Sequence, residues 1–137
     1  MAVQYVQQDI SREHDLTPQQ SVMMCAIVQG PVGMAELADH LHIEKSTLTG
    51  LVDRAERRGL VARTQDPSDR RAVQVALTLR GREVVKAFQR AITKRLTAQL
   101  DGLPAGVRKH LQAALPTTAD AYWNSLSYAD PPSERTP

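Results

Sequence analysis

The stretch KSTLTGLVDRAERRGL (residues 45–60) and the VARTQDPSDRRAVQVALT that follows it (residues 61–78) decide the fold. Apolar residues of the first part recur at spacings of three and four, which predicts an amphipathic helix with Gly59 at its C-terminal end. These residues are Leu48, Leu51, Val52 and Ala55. In the second part, apolar and polar residues alternate from Val73 to Thr78, and the turn residues DPSD separate them from LVARTQ (60–65). The second part therefore predicts a β-hairpin.

A shorter helix is predicted just before this stretch. GMAELADHL (33–41) places Leu37 and Leu41 on one face of a helix over about residues 34–41, and HIE (42–44) links it to the next helix. Two short helices joined by a tight link form a helix-turn-helix. The exposed face of the second helix carries short and polar residues near its N-terminus and charged side chains further on. That face comprises Ser46, Thr49, Gly50, Asp53, Arg54 and Arg57.

Two more helices are predicted towards the N-terminus. AVQYVQQDISREH (2–14) has apolar residues at helical spacing, namely Val3, Val6 and Ile10. In DLTPQQSVMMCAIVQGP (15–31), Thr17 is a good N-cap, Pro18 suits the first turn, and Gln20 can complete a capping box with Thr17. The Gly-Pro pair at 30–31 is expected to end this helix.

The C-terminal third is also predicted to be helical. Thr78 can cap a long helix over about residues 79–100, and a further helix runs from Pro104 to about Leu115. Pro116 is expected to interrupt it, with one more short helix in TADAYWNSL (118–126). Residues 127–137 are Pro-rich and polar, which predicts a disordered tail.

Length, charge and cysteine content narrow the class of protein. The 137 residues suit a single domain, 1–137, and the single cysteine excludes an internal disulfide. No apolar run is long enough for a membrane span and no signal-peptide pattern is present, so we expect no membrane partner and a cytoplasmic location. Residues 44–82 carry nine basic and five acidic side chains, a net charge of +4, against −4 for residues 1–43. This asymmetry indicates that the middle of the chain faces an anion.

The central block resembles the MarR family of bacterial transcriptional regulators. The resemblance covers about residues 16–90 and rests on four segments in order: LTPQQ, MAELADHLHIEKSTLTGLVDRAERRGLVAR, DPSDRRAVQVALT and LRGREVVKAF. The most specific part is the hairpin signature, which comprises Asp69, Arg71, Val75, Leu77, Thr78 and Gly81.

The resemblance implies a mainly α fold with a small β-hairpin wing, a winged helix-turn-helix with terminal dimerisation helices. The DNA-binding region would be residues 16–78, with the wing at 60–78, and the dimerisation helices would be residues 1–15 and 79–126. It further implies a ligand-responsive repressor that binds double-stranded DNA at a pseudo-palindromic operator as a homodimer. An enzyme is not expected, since no nucleophile, base and orienting group form a motif.

The predicted DNA contacts lie on the second helix of the helix-turn-helix and on the wing. Short hydroxyl side chains at a helix N-terminus let the backbone approach the major groove, and an arginine two turns further on can reach a phosphate or a guanine. The predicted contacts on this helix are Lys45, Ser46, Thr47, Thr49 and Arg54. On the wing, the resemblance places Arg71 in the minor groove, with Asp69 bracing it and Arg70 on a phosphate.

Other interpretations of the same residues remain open. Each hydroxyl residue can instead serve as a cap or be solvated, and the wing tip can be a solvated, charged turn. The winged helix can also be a protein-interaction module, or a DNA-binding member without ligand response. Apolar residues near the C-terminus predict a dimer interface, or else packing within one chain; they are Leu111, Leu115, Tyr122, Trp123 and Leu126.

The resemblance also implies a small aromatic or phenolic effector, with no other cofactor. Its pocket would border the second helix and the long helix, near Met23, Met24, Cys25 and Phe88, although these residues equally suit a plain core. Cys25 is expected to be a small buried hydrophobe rather than a redox sensor. No metal site is predicted, because the four histidines form no ligand motif.

Overall fold

The structure, a computed structural model, describes residues 2–127 and, within that range, the side chains of residues 5–125 and 127. In chain order its elements are α1 (Ala2–Glu13), α2 (Pro18–Ala26), β1 (Val32–Gly33), α3 (Met34–Leu41), α4 (Lys45–Arg57), β2 (Val61–Gln65), β3 (Val73–Leu77), α5 (Leu79–Ala98), a 3-10 turn (Gln99–Gly102) and α6 (Ala105–Leu126). The fold is mainly helical with one small antiparallel sheet, as predicted.

The start of α2 follows the predicted capping box. The Thr17 hydroxyl accepts from the Gln20 amide at 3.1 Å, and the Gln20 side chain accepts from the Thr17 amide at 3.1 Å. Two backbone donors that the helix itself cannot satisfy are thereby paired. The helix then presents Met23, Met24 and Cys25, all buried, to the interior.

The sheet has three strands in the order β1-β3-β2. β2 and β3 form the predicted hairpin, with Val61 opposite Leu77 and Gln65 opposite Val73. β1 was not predicted; its Val32 lies opposite Val75 and is buried. A two-residue strand has no readable periodicity, and its partner is 43 positions away in the chain.

One hydrophobic core joins the helical and the winged parts. The apolar stripe predicted for α4 is buried in full, as are Val85, Phe88 and Ile92 of α5. Phe88 lies at the centre, with its ring edge-to-face against Trp123 of α6 at a centroid distance of 6.1 Å. The remaining buried hydrophobic residues of α1 and α2 belong to the same cluster. The winged region is therefore held rigidly on the helices that precede and follow it.

The wing joins α5 through a close backbone contact. The Thr78 hydroxyl accepts from the Gly81 amide at 3.0 Å, as predicted for a cap, and donates to the carbonyl oxygen of Gly59 at 2.6 Å. A Cβ on Gly81 would lie far inside van der Waals contact of the Leu60 carbonyl oxygen. Glycine is therefore required here by proximity.

Two sequence predictions about helix ends are wrong. α2 ends at Ala26 rather than at the Gly-Pro pair 30–31, and the buried Ile27 follows it as the C-cap residue. α6 is one helix that continues through Pro116.

Tertiary contacts explain the continuity of α6. A proline inside a helix removes one hydrogen bond and costs about 3 kcal/mol. The residues beyond it pack on α5, with Trp123 only 7% exposed, and the Thr118 hydroxyl donates to the Ala114 carbonyl oxygen across the proline at 3.0 Å. Burial of the second half of the helix offsets the local cost.

The predicted tail also needs a correction at its first residue. Ser127 is buried, and its hydroxyl donates to the Trp123 carbonyl oxygen at 3.0 Å. Residues 128–137 lie outside the described part of the chain, as do the side chains of Val3 and Leu126. Within residues 2–127, no helix combines the length and the apolar character that a membrane crossing demands.

Candidate nucleic-acid interface

The N-terminal half of α4 is exposed on the face opposite its buried stripe. Lys45, Ser46, Thr47 and Thr49 are all exposed, whereas Leu48 between them is completely buried. Leu48 therefore fixes the rotation of the helix, and this rotation turns the polar residues outwards. The four predicted contact residues thus share one exposed surface at the helix N-terminus.

The hydroxyl groups on this surface differ in what they can still bind. Within the described residues, Ser46 and Thr47 use no side-chain hydrogen bond. Thr49 donates to the carbonyl oxygen of Lys45 at 2.9 Å. Its donor is therefore used inside the helix, which leaves the oxygen lone pairs and the methyl group for an outside partner. This sharpens the prediction for Thr49 from a general polar contact to an acceptor or methyl contact.

The N-terminus of α3 is closed by its own side chain. Gly33 offers no capping group, and its amide instead donates to a carboxylate oxygen of Glu36 at 3.0 Å. A carboxylate at this point repels a phosphate, so this helix end is a poor place for an anion. The surface available to an anion therefore begins at α4.

Two aspartates shape the tip of the wing. Asp66 accepts from the amide of Ser68 at 2.8 Å and from its hydroxyl at 2.7 Å, and these bonds hold the pKa of Asp66 below its usual value, the hydroxyl bond having the larger effect. Asp69 accepts from the backbone amide of Arg71 at 3.0 Å. The predicted brace therefore acts on the backbone of Arg71. Arg70 and Arg71 are both exposed at this braced tip.

A third arginine of the wing, Arg63, was missed by sequence reasoning. Its guanidinium bonds both Asp53 and Glu56 of α4, and its backbone amide donates to Glu56 at 3.2 Å. The bond to Asp53 is the largest cause that raises the pKa of Arg63 above its ordinary value. These contacts tie the wing to the side of α4. The spacing of Asp53 and Glu56, one helical turn apart, was the only signal in the sequence.

The residues proposed for an effector pocket are core residues. Met23, Met24, Cys25 and Phe88 are each at most 1% exposed and belong to the single core cluster. Burial raises the pKa of the Cys25 thiol to about 12, against a smaller opposite effect of a hydrogen bond with Gln89. The thiol is therefore neutral at physiological pH, which makes it a poor nucleophile.

A cavity lies instead between α5 and α6. Its volume is about 660 Å³, within the range of about 300–1,000 Å³ usual for small-molecule sites. Three basic residues of α5 spaced four apart form one wall, and Trp123, Ala119 and Pro116 of α6 form the apolar side. The basic residues are Lys86, Arg90 and Lys94. Asp101 and Asp120 also line the cavity.

Metal ligands are not gathered anywhere in the part of the chain that the structure describes: no three His, Cys, Asp or Glu residues there are placed to share an ion. His40 and His42 belong to α3 and its C-terminal end, and His14 packs edge-to-face on Phe88 at 6.3 Å.

The arrangement defines a winged helix-turn-helix. A helix whose polar N-terminal residues are exposed follows α3 through a tight link, and an antiparallel hairpin lies beside it with two arginines at its tip. Residues 16–73 match the sequence model of the MarR family. The chain therefore contains a MarR-family domain, and the curated relatives that match it are named HTH-type transcriptional regulators.

Individual relatives agree with this assignment. The chain is 35% identical over 94 residues to the HTH-type transcriptional repressor NicR of Pseudomonas putida, which covers 68% of this chain and 60% of NicR. The solved structure of the transcriptional regulator Tm0710 from Thermotoga maritima matches with a TM-score of 0.71 at 28% identity, covering 90% of this chain and 88% of that one. NadR, solved in complex with 4-hydroxyphenylacetate, matches with a TM-score of 0.66 at 25% identity, covering 86% and 84%.

The match covers only part of the length of the relatives found by sequence. It spans 58% to 61% of the length of NicR and of two uncharacterized HTH-type regulators of Bacillus subtilis, YsmB and YkoM.

Proposed function

We propose that the protein is a cytoplasmic transcriptional repressor that binds a pseudo-palindromic operator in double-stranded DNA as a homodimer. One observation carries the proposal: the exposed polar N-terminus of α4 lies beside a wing whose tip holds Arg70 and Arg71 on a hydrogen-bonded turn. The polar N-terminus of α4 and the basic tip of the wing could therefore enter two adjacent grooves of a duplex, the major and the minor groove.

The contacts follow from what each side chain still offers. In the major groove, Thr49 presents an acceptor and a methyl group, which suit an amino group of adenine or cytosine or the methyl group of thymine. Ser46 and Thr47, together with the α4 N-terminus, suit phosphate oxygens. Arg71 suits the negative potential of a narrow minor groove. Lys45 and Arg70 suit the backbone that separates the two grooves.

The decisive experiment is binding to DNA upstream of the gene, measured by mobility shift and by fluorescence anisotropy. Thr49→Ala and Arg54→Ala are expected to weaken specific binding without changing the oligomeric state. Arg71→Ala is expected to lower affinity and to reduce the slope of log K against log salt by about 1.8, about 0.9 for each protomer of the dimer. If the wild-type protein binds no duplex better than random DNA, the alternative of a protein-interaction module replaces this proposal.

The homodimer is proposed from exposed apolar residues on the terminal helices. Tyr5 of α1 is 66% exposed, and on α6 Val107, Leu111 and Tyr122 are 51%, 42% and 42% exposed. Val107 and Leu111 lie one turn apart, so they form a continuous strip. Trp123, also predicted for the interface, is instead part of the protomer core. Light scattering is expected to give twice the chain mass for the wild type and a shift towards monomer for Val107→Asp with Leu111→Asp.

The effector response is proposed at the cavity between α5 and α6. The basic wall and apolar side suit a small aromatic carboxylate or phenolate, and NadR is a relative in fold that binds such a compound. Trp123 is the only tryptophan of the chain and lines the cavity, so its fluorescence reports occupancy.

The effector test uses 4-hydroxyphenylacetate as the probe. We expect it to change the Trp123 emission of the wild type and to release operator DNA, and we expect Arg90→Gln to weaken both effects. Fluorescence and DNA affinity that stay constant over a full titration would indicate a DNA-binding protein without response to this class of compound.

A further inference from the structure

The recognition helix α4 has two flanks with opposite electrostatic character. On the flank towards the wing, Asp53 and Glu56 are both bonded by Arg63. The single positive charge of Arg63 therefore offsets part of their combined negative charge inside the protein. The other flank carries Arg54, Arg57 and Arg58.

The second flank borders a cleft of about 590 Å³. Arg12, in the last turn of α1, lines the same cleft, and the turn between α1 and α2 forms its far side. Four guanidinium groups thus face one cleft, against the single carboxylate of Asp15. A concave surface with this excess of positive charge concentrates anions more strongly than a flat one.

The four arginines differ in their present partners. Arg58 donates to the Asp15 carbonyl oxygen and, at 3.3 Å, to the Gln20 side chain, so it is a structural part of the cleft wall. Arg12 has only a 3.9 Å ion pair with Asp9, in which both side chains are largely exposed. Such pairs contribute little and are easily exchanged. Arg54 and Arg57 make no ion pair within residues 2–127.

Groove geometry indicates what an anion in this cleft would be. A helix lying in the major groove has a phosphate backbone on each side, because the groove is only about 12 Å wide. The wing accounts for one side of α4 only. Arginine forms paired hydrogen bonds to phosphate oxygens, which suits the other side.

We propose that the cleft formed by Arg12, Arg54 and Arg57 binds a backbone phosphate of the operator, on the flank of α4 opposite the wing. This inference rests on the proposed DNA-binding function. Free phosphates and DNA would both present a phosphate group to these arginines. We assign the cleft to a phosphodiester of DNA. α1, which the resemblance assigns to dimerisation alone, thereby contributes a DNA contact.

The test compares Arg12→Gln and Arg57→Gln with Lys109→Gln. Lys109 is exposed on α6 and outside the cleft, so its variant removes the same charge elsewhere. Each cleft variant removes one phosphate contact from each of the two protomers and is therefore expected to reduce the slope of log K against log salt by about 1.8, so that from about 50 to about 200 mM salt the wild type loses about 12-fold more affinity than the variant does. The loss should be equal on operator and random duplex, because phosphate contacts carry no sequence information.

The outcomes separate this inference from the proposed function. Lys109→Gln is expected to keep the wild-type slope, and Arg57→Lys to keep most of it. If the wild type binds its operator and both glutamine variants keep its affinity and slope, the inference is wrong and the proposed function stands. If no duplex is bound by the wild type, both fail. If millimolar pyrophosphate raises the Tm of the wild type but not of Arg57→Gln, while the DNA slopes are equal, the cleft is a site for free phosphates and the DNA assignment is wrong.

Discussion

Replacing Gly81 by alanine tests the junction between the wing and α5. A Cβ at this position would collide with the carbonyl oxygen of Leu60 and lie 2.9 Å from its carbon. Both are backbone atoms, so no side-chain rotation relieves the clash. The start of α5 must move away, and Thr78 then loses two hydrogen bonds, from its hydroxyl to the carbonyl oxygen of Gly59 (2.6 Å) and from its backbone amide to that of Leu60 (3.1 Å).

The size of the effect follows from three contributions. Overpacking of a tight site costs about 1–3 kcal/mol, and losing roughly two hydrogen bonds costs about 1 kcal/mol each. Alanine in place of glycine in a helix returns about 1 kcal/mol. We therefore expect Gly81→Ala to lower the free energy of unfolding by about 2–4 kcal/mol.

Gly50→Ala is the matched control. Gly50 lies inside α4, where a Cβ would meet only the flexible end of Arg54 at 3.4 Å. The same substitution should therefore stabilise the protein by about 0.5–1 kcal/mol. Urea unfolding followed by circular dichroism, at equal protein concentration for all variants, measures both values. A Gly81→Ala protein as stable as the wild type would show that the junction is not closely packed.

Three further outcomes are expected. Burial raises the pKa of Cys25 to about 12 from 9.0, so the contribution of the neutral thiol to stability is complete below about pH 9 and declines as pH rises towards 12. Urea unfolding of Cys25→Ala should therefore show a smaller loss of stability over that pH range than the wild type does. The native thiol should react with a disulfide reagent only on unfolding. Arg63→Gln should cost about 1 kcal/mol of stability and weaken DNA binding, because the negative charge of Asp53 then faces DNA without its partner. Adding Asp53→Asn should restore the DNA affinity. A double variant that binds DNA as weakly as the single one would contradict this. The pKa of Asp66 is lowered by its bonds to Ser68, so the wing tip should stay ordered as pH falls to the usual aspartate value of 3.8 and lose order below it; a Ser68 amide resonance with a midpoint at or above 3.8 would refute the brace.

Local sequence signals determined most of the elements. The Thr17 and Gln20 capping box, the apolar stripe of α4 and the left-handed Gly59 after it (φ 68°) are all as predicted, because each depends on residues within one or two turns. The hairpin is equally local, since DPSD and the alternation after it specify a turn and a strand. For this reason the winged helix-turn-helix and the exposed face of α4 could be predicted from the sequence.

Contacts between distant residues decided the rest. β1 exists only because Val32 meets Val75, and α6 runs through Pro116 only because Trp123 is buried beside Phe88. Tertiary packing also buries the four predicted pocket residues in the core, and the cavity lies instead between α5 and α6.

The two flanks of α4 show the same division. The sequence by itself determined that α4 carries both acidic and basic side chains on its exposed surface. Which charges remain free depends on Arg63 from the wing, which reaches α4 only in the folded chain, and only folding places Arg12 of α1 on the same cleft as Arg54 and Arg57. Periodicity specifies the face of a helix on which a charge lies, whereas its neutralisation depends on a partner within about 4 Å, and that distance is determined only by the tertiary structure.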